Sequence, residues 1–381
     1  MHDFEPRPSV IRLRARLARR LGGCAAAGLL ALLALALLLA SAVAACAWSA
    51  WEAIGAGRPL ATLMWVGAGL GCAAIALAAL HALLRPAPQT QGILLPRPAA
   101  EEFFHLLDEL AERAGVPPVR HVRITDEVNA AVVQRPRFGL FGPLRTELLV
   151  GLPLVHSLSA LQFAAVLAHE FGHIAAQRRG WGGWGGYARA WWARVLDTLL
   201  GDAAEGDSLL GRHAARFFHD MLRLARVEEL EADARAAMLV GPVLLGETLI
   251  ELSRKAHFLE HDYWPRVQAL RSADDGSRVR PFREMGHGVA AGYAQAVIAR
   301  SRELADARGR GDAFHPSLQR RLCALRVTVD PQPQAGASAA EHFFRALLPS
   351  LAWIFDRAWW EVSRIERHPM LVPEEGEAAG V

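Results

Sequence analysis

The sequence predicts an α+β domain, mainly helical with a small β-sheet, preceded by two transmembrane helices. Three observations predict it. Two runs, 21–48 and 60–84, contain no Asp, Glu, Lys or Arg. Each exceeds the roughly 20 residues that a helix needs to cross a hydrocarbon core of about 30 Å. Beyond residue 100, most of the chain places apolar residues at helical spacing, and only short segments between 119 and 150 alternate or cluster β-branched residues as strands do.

At 381 residues, 52% hydrophobic and 21% charged, the chain has room for a sizeable folded domain besides the spans. The net charge of +3 is small. No basic stretch interleaved with aromatics occurs in the second half, so nucleic acid is excluded as a partner class. Cys24, Cys46 and Cys72 lie in or at the edge of the apolar runs, Cys323 stands alone, and no C-x-x-C occurs. This pattern predicts neither a disulfide framework nor a cysteine-type metal site.

Neither apolar run has a polar face, as a soluble amphipathic helix of that length would. Trp48, Trp51 and Trp65 sit near the ends, where interfacial aromatics gather. Arg12, Arg14, Arg16, Arg19 and Arg20 precede the first run, whereas 49–59 carries only Glu52 and Arg58. The bias of basic residues puts the N-terminal 1–20 in the cytoplasm, the short loop outside, and the bulk of the chain back in the cytoplasm. The lipid bilayer is thus a partner, and the placement expected is multi-pass in the cell inner membrane. Arginines followed by an apolar stretch and Val43-Ala44-Ala45-Cys46 also resemble a signal peptide, but the run is about twice the usual 7–15 residues.

Residues 85–100, rich in Pro, read as a linker, and 101–365 as the folded domain. Phe103, Phe104, Leu107 and Leu110 predict a helix over 101–114; 119–124, 130–134 and 147–150 read as strands. Ser157 or Ser159 caps a helix running to about Gln177. Residues 178–186 hold two Trp and five Gly and are not expected to form a regular helix interior. Trp191, Trp192, Val195 and Leu199 give 187–200 an amphipathic pattern, suited equally to lipid contact and to packing on the domain. Residues 213–239 are strongly helical. The apolar stretch 236–252 is broken by Pro242, Glu247 and Glu251 and reads as buried helix rather than a third span. Helix is expected again over 343–362, with Pro349 as a break or fresh start, and the acidic tail 366–381 is expected to be disordered.

The chemistry centres on His169-Glu170-Phe171-Gly172-His173. Two His four residues apart on a helix project from one face and can bind one Zn²⁺. Glu170 then points beside the metal, where it can take a proton from water and pass it to a leaving amine. The run lies in an apolar helix, where two His and a Glu demand partners. Gly172 leaves room for close approach by another element. A third ligand is needed. Glu229 and Asp233 share a face of the next strong helix: Glu229 can bind the metal while Asp233 accepts the outer N–H of a ligating His. The same acids, with Arg226 and Arg235, also suit a solvated, salt-bridged face.

Four segments resemble the HtpX-like and CAAX prenyl protease type of membrane zinc endopeptidases, the gluzincin kind. They are His169–x–x–x–His173 with Glu170; Arg226-x-x-Glu229-x-x-Ala232-Asp233; Asn129-Ala130-Ala131-Val132; and His315-Pro316 followed by Arg321-Leu322. The resemblance implies a zincin-type fold with one Zn²⁺ per chain on His169, His173 and Glu229. It implies Glu170 as catalytic base and Asp233 as support for a ligand. Asn129 and Ala130 lie on a strand that pairs with extended substrate, and His315 and Arg321 lie near the cleft, either suited to stabilise an oxyanion. His315-Pro316 also suits a plain helix start. The activity implied is endopeptidase cleavage of polypeptides, damaged membrane proteins among them. The family's usual further spans between the histidines and the Glu ligand are missing here, which argues against CAAX processing. The rival class is an inactive zincin-fold membrane adaptor that binds partners through its edge strand.

Overall fold

The computed structural model describes residues 8–85, 87–88, 90–138, 141–177, 182–201, 208–273, 279–299, 315–329 and 336–367; the expected tail falls almost wholly outside them. Two helices are long and apolar enough to cross a membrane: α1 (Pro8–Gly55) and α2 (Pro59–Leu84). Their leucines are largely exposed, Leu37 at 62% and Leu60 at 78% among them. A continuous apolar surface of this size is what lipid covers and water does not. Gly57, at φ +65°, turns the chain between them. The basic segment before the first span is not separate from it: residues 8–20 are the first turns of the same 48-residue helix.

The chain then enters a four-stranded sheet of order β1-β2-β4-β3. Its strands are β1 (Ile93–Leu94), β2 (His121–Thr125), β3 (Ala130–Phe138) and β4 (Phe141–Gly151). β2 and β4 are parallel; the other two pairings are antiparallel. The 85–100 segment expected to be a linker therefore contributes a strand, too short to show a period. Thr90 donates to Glu147 at 2.8 Å and Arg123 to the Gly92 carbonyl at 3.1 Å, clipping that segment to the sheet.

Helices make up most of the domain: α3 (Glu101–Ala114), α4 (Leu152–Ser157), α5 (Ala160–Gln177), α6 (Gly182–Leu200), α7 (Leu209–Val240) and α8 (Pro242–Phe258), of which α4 packs on β4 and α5 and α6 on β3. A π-helical turn, Leu259–Tyr263, joins α8 to α9 (Trp264–Ala273). α10 (Pro281–Ala299), α11 (Leu318–Leu325), α12 (Ala339–Phe343) and α13 (Leu348–Arg367) follow. Ser159 is the cap of α5: its hydroxyl accepts from Gln162 N–H while the Gln162 side chain accepts from Ser159 N–H. The main core gathers Phe103, Phe104, Phe163, Phe171 and Phe344, all at or below 1% exposed. Each such side chain contributes about 1.5–3 kcal/mol by leaving water.

Two expectations need correction. The apolar stretch 236–252 is two helices, not one, because Gly241 adopts φ +88° and Pro242 starts α8. The Gly/Trp-rich stretch is helical from Gly182 onward. Close packing outweighs the intrinsic cost of glycine there: a Cβ on Gly183 would lie 1.9 Å from Gln134 Oε1 of β3. Further along α6, Trp192 occupies the space beside Gly28 of α1, where a Cβ would come within 2.4 Å of the indole.

A second core forms here. Leu17, Leu21 and Ala25 of α1 pack with Trp192, Val195 and Leu196 of α6 and with Phe217 and Leu224 of α7. The arginine-rich start of α1 and the folded domain thus share one end of the two apolar helices.

Candidate metal centre

The site lies where α5, α7, β3 and the start of α11 meet. α5 presents His169, Glu170 and His173, whose ligand atoms lie within 4.8 Å of one another. α7 crosses α5 at Gly172, where a Cβ would sit 2.8 Å from the Ala232 carbonyl oxygen. Only a residue without a side chain lets the helices approach this closely. That contact brings Glu229 and Asp233, one turn apart, onto the histidines.

Three donor atoms converge. His169 Nε2 is 3.2 Å from His173 Nε2, His173 Nε2 is 3.1 Å from Glu229 Oε1, and His169 Nε2 is 3.5 Å from Glu229 Oε2. A tetrahedral ion bound at about 2.0–2.1 Å from each donor spaces its donors about 3.3 Å apart. Glu229 Oε2 is buried, and its contacts with His169 Nε2 at 3.5 Å and Arg321 Nη1 at 3.6 Å are long. The residues therefore fit a zinc ion, in both spacing and donor chemistry.

The surroundings orient these donors. Asp233, 1% exposed, lies 2.9 Å from His169 Nδ1, which leaves Nε2 for the metal side. Arg321 grips Asp233 with two charge-assisted bonds, Nη2 to Oδ1 at 2.6 Å and Nε to Oδ2 at 2.7 Å. Its Nη1 is 3.6 Å from Glu229 Oε2. His315 is half exposed at the cleft rim, its Nε2 3.8 Å from Glu229 Oε1.

Charge in the site is out of balance. Glu170, Glu229 and Asp233 face one guanidinium. Burial opposes a charged His169, but hydrogen bonds to Asp233 and Glu229 prevail and raise its pKa to about 10. Burial pushes Glu229 up, yet hydrogen bonds from both histidines hold it well below the usual carboxylate range. Asp233, opposed by burial and favoured by Arg321, falls to about 2. The cluster calls for positive charge between Glu229 and the imidazoles. A divalent cation supplies it without a proton on His169. Glu170 differs: burial raises its pKa, and its Oε2 accepts the Val132 N–H at 3.1 Å.

The cleft over these groups measures about 340 Å³. β3 lines it with Ala130, Ala131 and Val132, preceded by Asn129, and α8 lines it with Leu245, Thr248, Leu249 and Leu252. β3 is the outer strand of the sheet. The Asn129 carbonyl accepts from Gly151 N–H on the β4 side, while Val132 N–H turns outward to Glu170. The antiparallel alternation hence aims the backbone of Ala130 and Val132 at the cleft. All nine residues expected at the site, from Asn129 and Ala130 to His315 and Arg321, are brought to this one place. The α8 wall is not among the expected site residues, although Leu245, Thr248, Leu249 and Leu252 stand at i, i+3, i+4 and i+7, the spacing of one helix face.

Over 239 residues the chain is 28% identical to the Protease HtpX homolog of Acidiphilium cryptum (strain JF-5), a match covering 55% of this chain and 78% of that protein. The chain is similar to a protease. No protein-family model and no solved structure matches it. The likeness is to a protein named as a protease, and among the described residues this chain has two helices of membrane-spanning length.

Proposed function

We propose that the protein is a membrane-anchored, zinc-dependent endopeptidase of zincin type, its catalytic domain on the cytoplasmic face of the inner membrane. The convergence of His169, His173 and Glu229 with Glu170 beside them, under an outer strand, carries this reading. The arginine bias supports the cytoplasmic side for the start of α1, and the shared core ties the domain to that same end.

His169, His173 and Glu229 would hold the Zn²⁺, which would supply a Lewis acid for the scissile carbonyl and lower the pKa of water. An extended polypeptide pairs with the outward backbone of β3 at Ala130, and Asn129 lines its path. Glu170, tethered through one oxygen to Val132 N–H and raised in pKa by burial, takes the proton of the attacking water and returns it to the leaving amine. Asp233, clamped by Arg321, holds the His169 ring in place. Arg321 engages Asp233 through Nε and Nη2, while His315 stands half exposed at the open rim, which favours His315 for the oxyanion role. Damaged or unassembled membrane proteins are the substrate class that the placement and the resemblance favour.

Purified wild type and Glu170→Gln test the reading, through zinc content and cleavage of an unfolded polypeptide. Both should hold about one zinc per chain, and the variant should lose at least about 10²-fold in rate. Zinc retained with full activity in Glu170→Gln would sink the mechanism. Wild type that binds zinc and cleaves nothing would favour the adaptor.

A further inference from the structure

We propose that the arginine-rich start of α1 is a working part of the metal centre, with Arg14 as a positioning residue for the Glu229–Asp233 segment of α7. The proposal rests on the reading of Glu229 as a metal ligand.

Arg14 looks like one of several topology-setting arginines, but its surroundings set it apart. Arg12, Arg16, Arg19 and Arg20 are exposed, whereas Arg14 is 6% exposed. Its Nε lies 3.5 Å from Glu228 Oε1 and 3.6 Å from Glu231 Oε2. Glu231 is 0% exposed and also receives Arg235 at 2.8 Å; Glu228 faces Arg189 of α6 at 3.8 Å. Among the described residues, Arg14 is the one cation of this cluster that comes from α1 and reaches both carboxylates, so removing it unties α1 from α7 and leaves the buried acids with Arg189 and Arg235 alone.

Helical geometry connects this cluster to the site. Glu229 and Asp233 lie on one face of α7; Glu228 and Glu231 flank Glu229 in sequence and turn to the other side, toward α1. α7 is therefore held from two sides over a single turn and a half, by the histidines and Arg321 on one and by the membrane helix on the other. The apolar contacts of Leu17 and Leu21 with Phe217 and Leu224 extend the grip along α7. Loss of Arg14 releases one side, and α7 then rotates or shifts at the turn that carries the third ligand.

The experiment uses the full chain in detergent or bilayer and compares Arg14→Ala with Arg12→Ala, which removes the same charge from an exposed position. Zinc affinity is read by chelator competition, kcat and KM on one polypeptide substrate, and hydrogen exchange of α7 amides with the metal removed. For Arg14→Ala we expect a rise of about tenfold in zinc Kd, a lower kcat at unchanged KM, and faster exchange over 228–236. Arg12→Ala should match wild type. Arg14→Lys, which keeps a cation against Glu228 and Glu231, should hold zinc affinity and kcat near the wild-type values. Equal zinc affinity and equal exchange in Arg14→Ala and wild type would overturn the proposal, as would an equal loss in Arg12→Ala. If wild type holds no zinc, the metal-centre reading fails on its own account, and unchanged α7 exchange in Arg14→Ala would overturn the coupling separately.

Discussion

At the residue scale, the candidate site is a chain of dependencies ending on Asp233. Its carboxylate takes both Arg321 bonds and faces His169 Nδ1, so it fixes a ring that would otherwise rotate. With a pKa of about 2, it is ionised at every working pH. Asp233→Asn keeps the shape and removes the charge. Zinc affinity should fall about 10–100-fold, and stability should drop by several kcal/mol because Arg321 stays buried without its anion. Chelator competition and urea unfolding measure the two; an unchanged affinity would show that His169 does not depend on Asp233. The motif residues were legible in the sequence because spacing alone puts His169 and His173 on one helix face. The pairing of Arg321 with Asp233 was not, since it depends on which side chain reaches Asp233 in space.

At the scale of elements, the α5–α7 crossing decides whether the site exists. Gly172→Ala would place a methyl 2.8 Å from the Ala232 carbonyl and 3.0 Å from its Cα. Both are backbone atoms, so the helices must part. The expected cost is about 1–3 kcal/mol, with helix content by circular dichroism intact and zinc binding weakened. Full zinc affinity in this variant would mean that the ligand geometry tolerates a wider crossing. Sequence reading anticipated this glycine, as it did α3 to the residue, because Phe103, Phe104, Leu107 and Leu110 form an unbroken stripe. It missed helix at the start of α6, where glycine was scored by intrinsic cost and its packing against β3 is invisible in one dimension. Residues 1–20 read only as a basic cytoplasmic N-terminus. Arg14, Leu17, Leu21 and Ala25 already marked a buried stripe, but nothing in the chain order named α6 and α7 as its partners.

For the whole molecule, α8 separates the metal cleft from a second polar pocket, and His156 of α4 lines that pocket with Glu251, Lys255 and Tyr293. Burial drives the His156 pKa down to about 4, against a smaller opposing pull from Glu341. Its Nδ1 makes no hydrogen bond, and a side chain on Gly286 of α10 would come within 3.2 Å of it. The sign of the resulting pH dependence follows from linkage. Above the unfolded value of about 6.5, His156 is neutral in both states and contributes nothing. Between about 6.5 and 4 the unfolded chain takes up a proton that the folded one refuses, so stability falls with pH, with a slope approaching about 1.4 kcal/mol per unit. Below about 4 both states are protonated and the loss levels off. His156→Gln removes this single contribution. Unfolding of both proteins, measured in chelator from pH 7.5 to 3.5 so that metal ligands titrate alike in each, should give parallel stability curves above pH 6.5. Below that the variant should gain on wild type until about pH 4. Curves that stay parallel through the whole range would mean that His156 is protonated in the folded protein, and that the joint of α4 and α10 is open to water.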